Sequence, residues 1–218
     1  MKLYQSTVDT LRRLSDSTVE IVLTKPQGFD FSAGQRISCV IEGESRDYSL
    51  ACSPADSYLV LCVRQVMGGK ISGKIAKSQP GDILRFSGPH GYFVHRPGKS
   101  VFMATGTGIA PFVAFCRSGF QADYLLHGVR TVKELYYRQL LEAGAEQYIP
   151  CCTEGNDEDA ELYGLFHGRV TEYLEMNVPV GCYNFYLCGN GQMVRDGIRI
   201  IDKRFPGSKV FSEMFFSQ

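Results

Sequence analysis

Close to residue 97 the hydrophobic pattern of this chain changes period, and that change constrains the fold more than any other feature. Before it, short runs that alternate or are rich in β-branched residues ("STVEIVL", "QRISCVI", "YLVLCVRQV", "DILRFSG") are separated by turn clusters such as "PQGFDFSAG" and "QPGD". They predict a small antiparallel β-barrel, with one helix over about Ser72–Ser78 after the glycine pair Gly68-Gly69. After it, apolar strand candidates ("SVFMATG", "DYLLHGV", "EQYIPCC", "YNFYLCG", "KVFSEMFF") alternate with helical stretches ("APFVAFCRS", "VKELYYRQLLEAG", "RVTEYLEM", "QMVRDGIRIIDKRF"). That alternation predicts a Rossmann-like α/β domain, a parallel sheet covered by helices on both faces. The segment "HRPGK", His95 to Lys99, marks the junction, so the chain divides into residues 1–97 and 98–218.

A chain of 218 residues, 44% of them hydrophobic, can bury a substantial core. Its 23 basic and 23 acidic residues cancel, which gives no reason to expect nucleic acid or an acidic membrane as partner. The first half carries 12 basic and 9 acidic residues, +3, and the second 11 and 14, −3. No apolar run follows "MKLYQSTVDTLRR", and the most apolar later stretch is broken by Gly, Thr and Pro. Neither a signal peptide nor a membrane span is expected, and the cytoplasm is the expected location. Of the eight cysteines only Cys151 and Cys152 are close in sequence, and no Cys-x-x-Cys occurs, so reduced thiols packed as small apolar groups are expected. The four histidines, His90, His95, His127 and His167, have no metal-ligand spacing, and no metal is expected. "TEGNDEDAE", Thr153 to Glu161, reads as an acidic loop.

In "ATGTGIAP", Ala104 to Pro111, two glycines flank Thr107 between the first strand and the first helix of the second half. Gly106 and Gly108 can adopt conformations closed to other residues, and the helix N-terminus offers amides to a pyrophosphate. Pro111 suits the first helical turn. The pattern is Gly-x-Gly-x-x-Pro, without the third glycine of the dinucleotide fingerprint, and by itself it favours a plain strand-to-helix turn.

Further motifs occur in a fixed order: "RDYS" at Arg46 to Ser49, "GGKIS" at Gly68 to Ser72, "GPHGYF" at Gly88 to Phe93, then "GTGIAP", "CGNGQM" at Cys188 to Met193, and "SEMFF" near the end. With these the chain resembles, over essentially its whole length, the ferredoxin-NADP⁺ reductase family, without an iron-sulfur domain. The resemblance implies a flavin, FAD in preference to FMN, in the barrel and a nicotinamide nucleotide in the α/β half. It implies that Arg46 meets a flavin phosphate, Tyr48 the ring and ribityl chain, and Ser49 the N5 edge. Gly69, Lys70, Ile71 and Ser72 then form a second flavin stretch. Gly106, Thr107 and Gly108 cradle the nucleotide pyrophosphate, and Cys188, Gly189 and Met193 border the nicotinamide. Glu213 is implied in orienting the carboxamide or moving a proton, and Phe215 or Phe216 in covering the flavin, with Phe215 preferred by spacing. Ser49, Cys188, Glu213 and Phe215 are the expected catalytic set.

The implied activity is hydride transfer from NAD(P)H to flavin, then electron delivery to a ferredoxin, a flavodoxin or an oxygenase component. Two alternatives stand beside it: a reductase that releases reduced flavin, and an electron-transfer subunit of a larger complex. Arg130, in "HGVR" after the second strand of the α/β half, is placed to read a 2′-phosphate, with Lys133 and Arg138 nearby. Thr153 stands where NADPH-using relatives carry a second arginine, which tilts the expectation toward NADH.

Overall fold

A computed structural model describes residues 2–215. The barrel half consists of β1 (Leu3–Arg13), β2 (Thr18–Thr24), β3 (Arg36–Ile41), β4 (Glu44–Ser49), β5 (Tyr58–Arg64), α1 (Lys70–Ile75) and β6 (Ile83–His90). Its strands form one antiparallel sheet in the order β4-β3-β6-β1-β2-β5. The sheet curls back on itself where Leu50 bridges Leu61, and the Ala51 amide donates to the Val60 carbonyl at 2.8 Å. β1, like β4, is a strand that the hydrophobic pattern does not reveal, since only Val8 and Ser6 within it are buried. It forms because β2 and β6 flank it and take up its backbone groups.

The second half runs β7 (Ser100–Thr105), α2 (Ala110–Arg117), β8 (Ala122–Val129), α3 (Arg138–Ala143), β9 (Ala145–Cys152), α4 (Asp157–Tyr163), β10 (Phe166–His167), α5 (Val170–Asn177), β11 (Asn184–Asn190), α6 (Gly191–Arg204) and β12 (Lys209–Phe215). The sheet is parallel throughout, in the order β10-β9-β8-β7-β11-β12. Two expectations are corrected here. "TEGNDEDAE" is not a loop: it enters α4, whose start is fixed by Asn156, the side chain of which accepts the Asp159 amide at 2.7 Å. "VKELYYRQLLEAG" is not one helix: a 3₁₀ turn at Val132–Glu134 and α3 are separated by Leu135–Tyr137, where Tyr137 sits at φ +60°.

Alternation along the central strands sorts the core. Val101, Met103, Phe185 and Leu187 face α5 and α6, while Phe102, Ala104, Tyr186 and Cys188 face α2 and belong to one apolar cluster with the barrel interior. The connection from β6 to β7 is held in that cluster: His95 stacks on Phe120 with ring centroids 4.4 Å apart, and the Arg96 amide donates to the Tyr186 hydroxyl at 2.7 Å. Burial of each such aromatic contributes about 2–3 kcal/mol, so the two halves are joined by packing and not by a flexible linker. All eight cysteines are free thiols and six are buried. No helix among the described residues is long and apolar enough to cross a membrane.

Candidate active site

The halves meet along a cleft of about 2000 Å³. Its barrel wall comes from β4 and the loop leading into α1, and its other wall from the C-terminal ends of β7, β8, β11 and β12. β7 has β8 on one side and β11 on the other, so the parallel sheet reverses its strand order here, where open α/β sheets bind ligands.

The barrel wall is aimed by a tight hairpin. Between β3 and β4, Glu42 and Gly43 both have positive φ, +52° and +82°, the two-residue turn whose twist matches the strands. It sets Arg36 opposite Ser49. Arg46, Tyr48 and Ser49 all border the cleft. The Ser49 Oγ is buried and finds no hydrogen-bond partner among the described residues. Burial pushes the Tyr48 hydroxyl well above its ordinary range, so it stays a neutral donor.

Gly69, Lys70, Ile71 and Ser72 line the same cleft. The helix begins at Lys70, two residues before the expected start, because its first turn is closed from the Gly73 amide to the Gly69 carbonyl at 3.0 Å. It ends at Ile75, beyond which Lys77 and Ser78 make only tighter i→i−3 bonds. The Ser72 hydroxyl accepts the Val66 amide at 3.2 Å and so closes the glycine loop, and Lys70 pairs with Glu44.

On the opposite wall the glycine turn is one 3₁₀ turn, Gly106–Ile109, running into α2 with Pro111 in its first turn. The two glycines serve different ends. Gly106 has φ +55° with open space where a Cβ would stand, and with Thr107 it borders the cleft. Gly108 does not border it: a Cβ there would lie 2.3 Å from the Cys188 carbonyl oxygen, so this glycine permits the turn to pack on β11.

Cys188 also stands apart from the lining of the cleft. It is fully buried in the shared core, outside the cleft, and its thiol is pushed far up by burial and by the neighbouring Glu213 carboxylate. Its neighbour Gly189, at φ +135°, is the residue that reaches the cleft, with Met193 at the start of α6. Asn190 caps that helix, accepting the Gln192 and Met193 amides at 2.8 and 3.3 Å.

Glu213 lies beside Cys188 in register on β12 and enters the cleft. One carboxylate oxygen accepts from Arg36 Nη1 at 2.5 Å, across the seam between the sheets, and the other is buried without a partner among the described residues. Burial raises the Glu213 pKa above the ordinary carboxylate range, and Arg36 opposes that rise. Arg36 also donates through Nε to Asp47 at 2.8 Å. Sequence reading missed Arg36, Asp47 and Gly91, all of which line this part of the cleft. Phe215 ends β12 with its backbone beside Asn190, its side chain and Phe216 lying outside the described residues.

Arg130 borders the cleft, and its guanidinium is bound through Nε and Nη2 to Glu154 at 3.0 and 2.8 Å, while its amide donates to the Glu134 carboxylate at 3.0 Å. Arg138 pairs with Glu142 at 2.7 Å, four residues on, and not with Glu134, and neither it nor Lys133 borders the cleft. Among the described residues no group of three His, Cys, Asp or Glu is gathered in a way that could hold a metal ion.

The residues left unpaired by the protein fit a flavin: a buried hydroxyl on one wall and a buried carboxylate oxygen on the other, between two glycine-bearing turns. Residues 6–95 match the model of the oxidoreductase FAD-binding domain, and residues 102–197 that of the oxidoreductase NAD-binding domain. The ferredoxin-NADP reductase B of Sorangium cellulosum is 31% identical over 214 residues, covering 88% of each chain. The chain belongs to the ferredoxin-NADP reductase family. The chain is also similar to the phenol hydroxylase P5 protein of Acinetobacter pittii, 31% identical over 98% of this chain and 66% of that one. The toluate 1,2-dioxygenase electron transfer component of Pseudomonas putida is 28% identical over 88% of this chain. This chain spans less than two thirds of both of those proteins, 61% of the latter. Among solved structures, the ferredoxin NADP⁺ reductase of Neisseria gonorrhoeae with bound FAD and NADP shares the fold with a TM-score of 0.84 at 22% identity, covering 99% of this chain and 100% of that one. Amycolatopsis cytochrome P450 reductase GcoB superposes with a TM-score of 0.83 at 27% identity over 98% of this chain and 70% of that one. The protein is thus an oxidoreductase with FAD-binding and NAD(P)-binding halves.

Proposed function

We propose that this reductase takes hydride from NADH onto FAD bound by residues 1–97, the nucleotide being bound by residues 98–218, and delivers electrons to a separate redox protein in the cytoplasm. The observation that carries the reading is the convergence of Ser49, Arg36 and Glu213, from both halves, in one cleft flanked by both glycine turns. The chemistry supplied when FAD is bound is hydride acceptance from the nicotinamide and release of electrons one at a time.

The chain's own residues orient and exclude water. Arg46 and the loop Gly69–Ser72 bind flavin phosphates, Tyr48 holds the ring system, and Ser49 donates or accepts at its edge. Gly106, Thr107, Gly189 and Met193 would hold the nucleotide, and Phe215 or Phe216, whose side chains lie outside the described residues, would cover the flavin. Glu213 orients the carboxamide through the oxygen that Arg36 leaves unpaired. Such alignment, more than acid or base strength, sets the rate. The nucleotide preference follows from Arg130: its guanidinium already serves Glu154, Glu134 adds a second carboxylate at its amide, and Thr153 supplies no cation, a setting that suits ribose hydroxyls better than a 2′-phosphate. A ferredoxin, a flavodoxin or an oxygenase component is the proposed acceptor, supported by relatives that include a ferredoxin-NADP reductase and reductase components of oxygenases.

Anaerobic mixing of the purified yellow protein with NADH or NADPH tests the reading. Rapid bleaching, faster per unit concentration with NADH, is expected, followed by reoxidation with one-electron acceptors. Failure of either nucleotide to bleach the flavin removes the proposal.

A further inference from the structure

Arg36 lies in this convergence without a role of its own toward flavin or nucleotide. It opens β3, faces Ser49 across the hairpin, and reaches over the seam to a glutamate 177 positions later in the sequence. Its fork is divided between the halves: Nε on Asp47 of β4, Nη1 on Glu213 of β12. Space for this contact is kept by Gly91, at φ +93°, where a Cβ would stand 2.5 Å from Arg36 Nη1 and 3.0 Å from Glu213 Oε1. Glu213 is mostly buried, 13% exposed at the side chain, and desolvation alone would favour its protonated form. The charged or titratable groups acting on it are Arg36 from β3, Asp47 from β4 and the Cys188 thiol from β11, and Arg36 is the cation among them.

We propose that Arg36 is a positioning residue, holding Glu213 as an anion with one oxygen fixed across the seam and the other turned to the nicotinamide. This rests on the functional reading above and adds to it a residue, a charge state and an orientation. Losing the cation leaves a buried carboxylate without its counter-charge, so its titration moves upward and its geometry is no longer fixed.

The test compares wild type, Arg36→Gln, Arg36→Lys, Glu213→Gln and the double variant Arg36→Gln with Glu213→Gln. Two readouts are taken across pH: the hydride step in the flavin-loaded protein by stopped flow, and titration of the Glu213 side-chain carbon by NMR in the flavin-free chain. In Arg36→Gln the carboxyl titration moves upward, and the hydride step slows by about tenfold or more at neutral pH and recovers on the alkaline side. Glu213→Gln has no such pH limb, and the double variant is no slower than Glu213→Gln alone, as expected for two residues acting as one unit. Arg36→Lys keeps the charge and hence the wild-type titration, and it decides the matter if Arg36→Gln does not fold. An unmoved titration in Arg36→Gln, an equal shift in Arg36→Lys, or additive losses in the double variant overturns the proposal. Should NADH fail to bleach even the wild type, the functional reading falls by itself, and the NMR titration still decides whether Arg36 sets the charge of Glu213.

Discussion

Replacing Ser49 by alanine should move stability and cofactor affinity in opposite directions. The Ser49 side chain is buried, and its Oγ has no hydrogen-bond partner among the described residues. A buried hydroxyl left unpaired costs about 1–3 kcal/mol, and the single oxygen removed contributes little packing. The flavin-free Ser49→Ala protein should therefore be more stable by about 1 kcal/mol, an increase in Tm of about 2–4 °C for a chain of this size. Flavin binding gives the wild-type hydroxyl a partner that the variant lacks, a hydrogen bond worth about 0.5–1.5 kcal/mol to affinity, which about cancels the variant's gain in the bound state. Loss of that bond corresponds to flavin binding weaker by about twofold to tenfold. The assays are urea unfolding of the stripped protein and flavin titration by fluorescence quenching, with stopped-flow reduction as a third readout. A flavin-free variant that is destabilised by more than about 1 kcal/mol while its flavin affinity stays unchanged would show that the hydroxyl serves the fold. The reasoning from an orphaned hydroxyl to a cofactor edge would then be wrong.

Three further outcomes follow from the geometry. The His127 ring, fully buried on β8 beside the Tyr148 hydroxyl at 2.9 Å, has its pKa lowered from 6.5 to about 3 by desolvation. As pH falls below 6.5 the unfolded chain takes up a proton that the folded chain refuses, so stability drops by about 1.4 kcal/mol per pH unit through this site; a pH series of urea melts should lose that slope in His127→Phe. Gly108→Ala places a Cβ 2.3 Å from the Cys188 carbonyl and should cost about 1–3 kcal/mol of stability, whereas Gly106→Ala, which meets open space but must hold φ +55°, should cost about 1–2 kcal/mol and in addition raise the KM for NADH. Glu154→Gln frees the Arg130 guanidinium and should shift the ratio of kcat/KM for NADPH over NADH upward several-fold, an unchanged ratio arguing against Arg130 as the nucleotide reader.

The barrel followed by a parallel sheet was legible because burial writes a pattern into the sequence: short alternating or β-branched runs in the barrel, and in the second half continuous apolar strands such as β7 and β11, covered on both faces, alternating with helices. β1 escaped because its residues are mostly exposed and polar, and its place is set by hydrogen bonds to neighbours remote in sequence. α4 escaped for a different reason: its net acidity outweighed the Asn156-x-x-Asp159 spacing, which is a helix-start signal in its own right. The motif residues Ser49, Gly106 and Glu213 were found and do border the cleft, but their neighbours Gly108 and Cys188 turn into the core. A motif specifies residue types in order and does not say which way each one points. Arg36 carried no motif at all, and only the register imposed by the Glu42-Gly43 turn places it beside Ser49.

That register argument extends to the other wall. On β11 and β12, Tyr186 stacks on Phe211 with centroids 4.8 Å apart, and two residues further along each strand Cys188 lies beside Glu213 on the same face. The face that carries the aromatic pair is the one packed toward the barrel, so strand alternation alone delivers Glu213 to the seam. Slipping β12 by one residue would turn Phe211 out of the core and Glu213 away from Arg36 together. The apolar packing that holds the two halves in contact therefore also fixes the position of the carboxylate, and a substitution such as Phe211→Ala should loosen the Arg36–Glu213 contact without touching either charge. The measurement is the Glu213 carboxyl titration in the flavin-free chain: an upward shift in Phe211→Ala supports this coupling of core to cleft, and a wild-type titration in a folded variant refutes it.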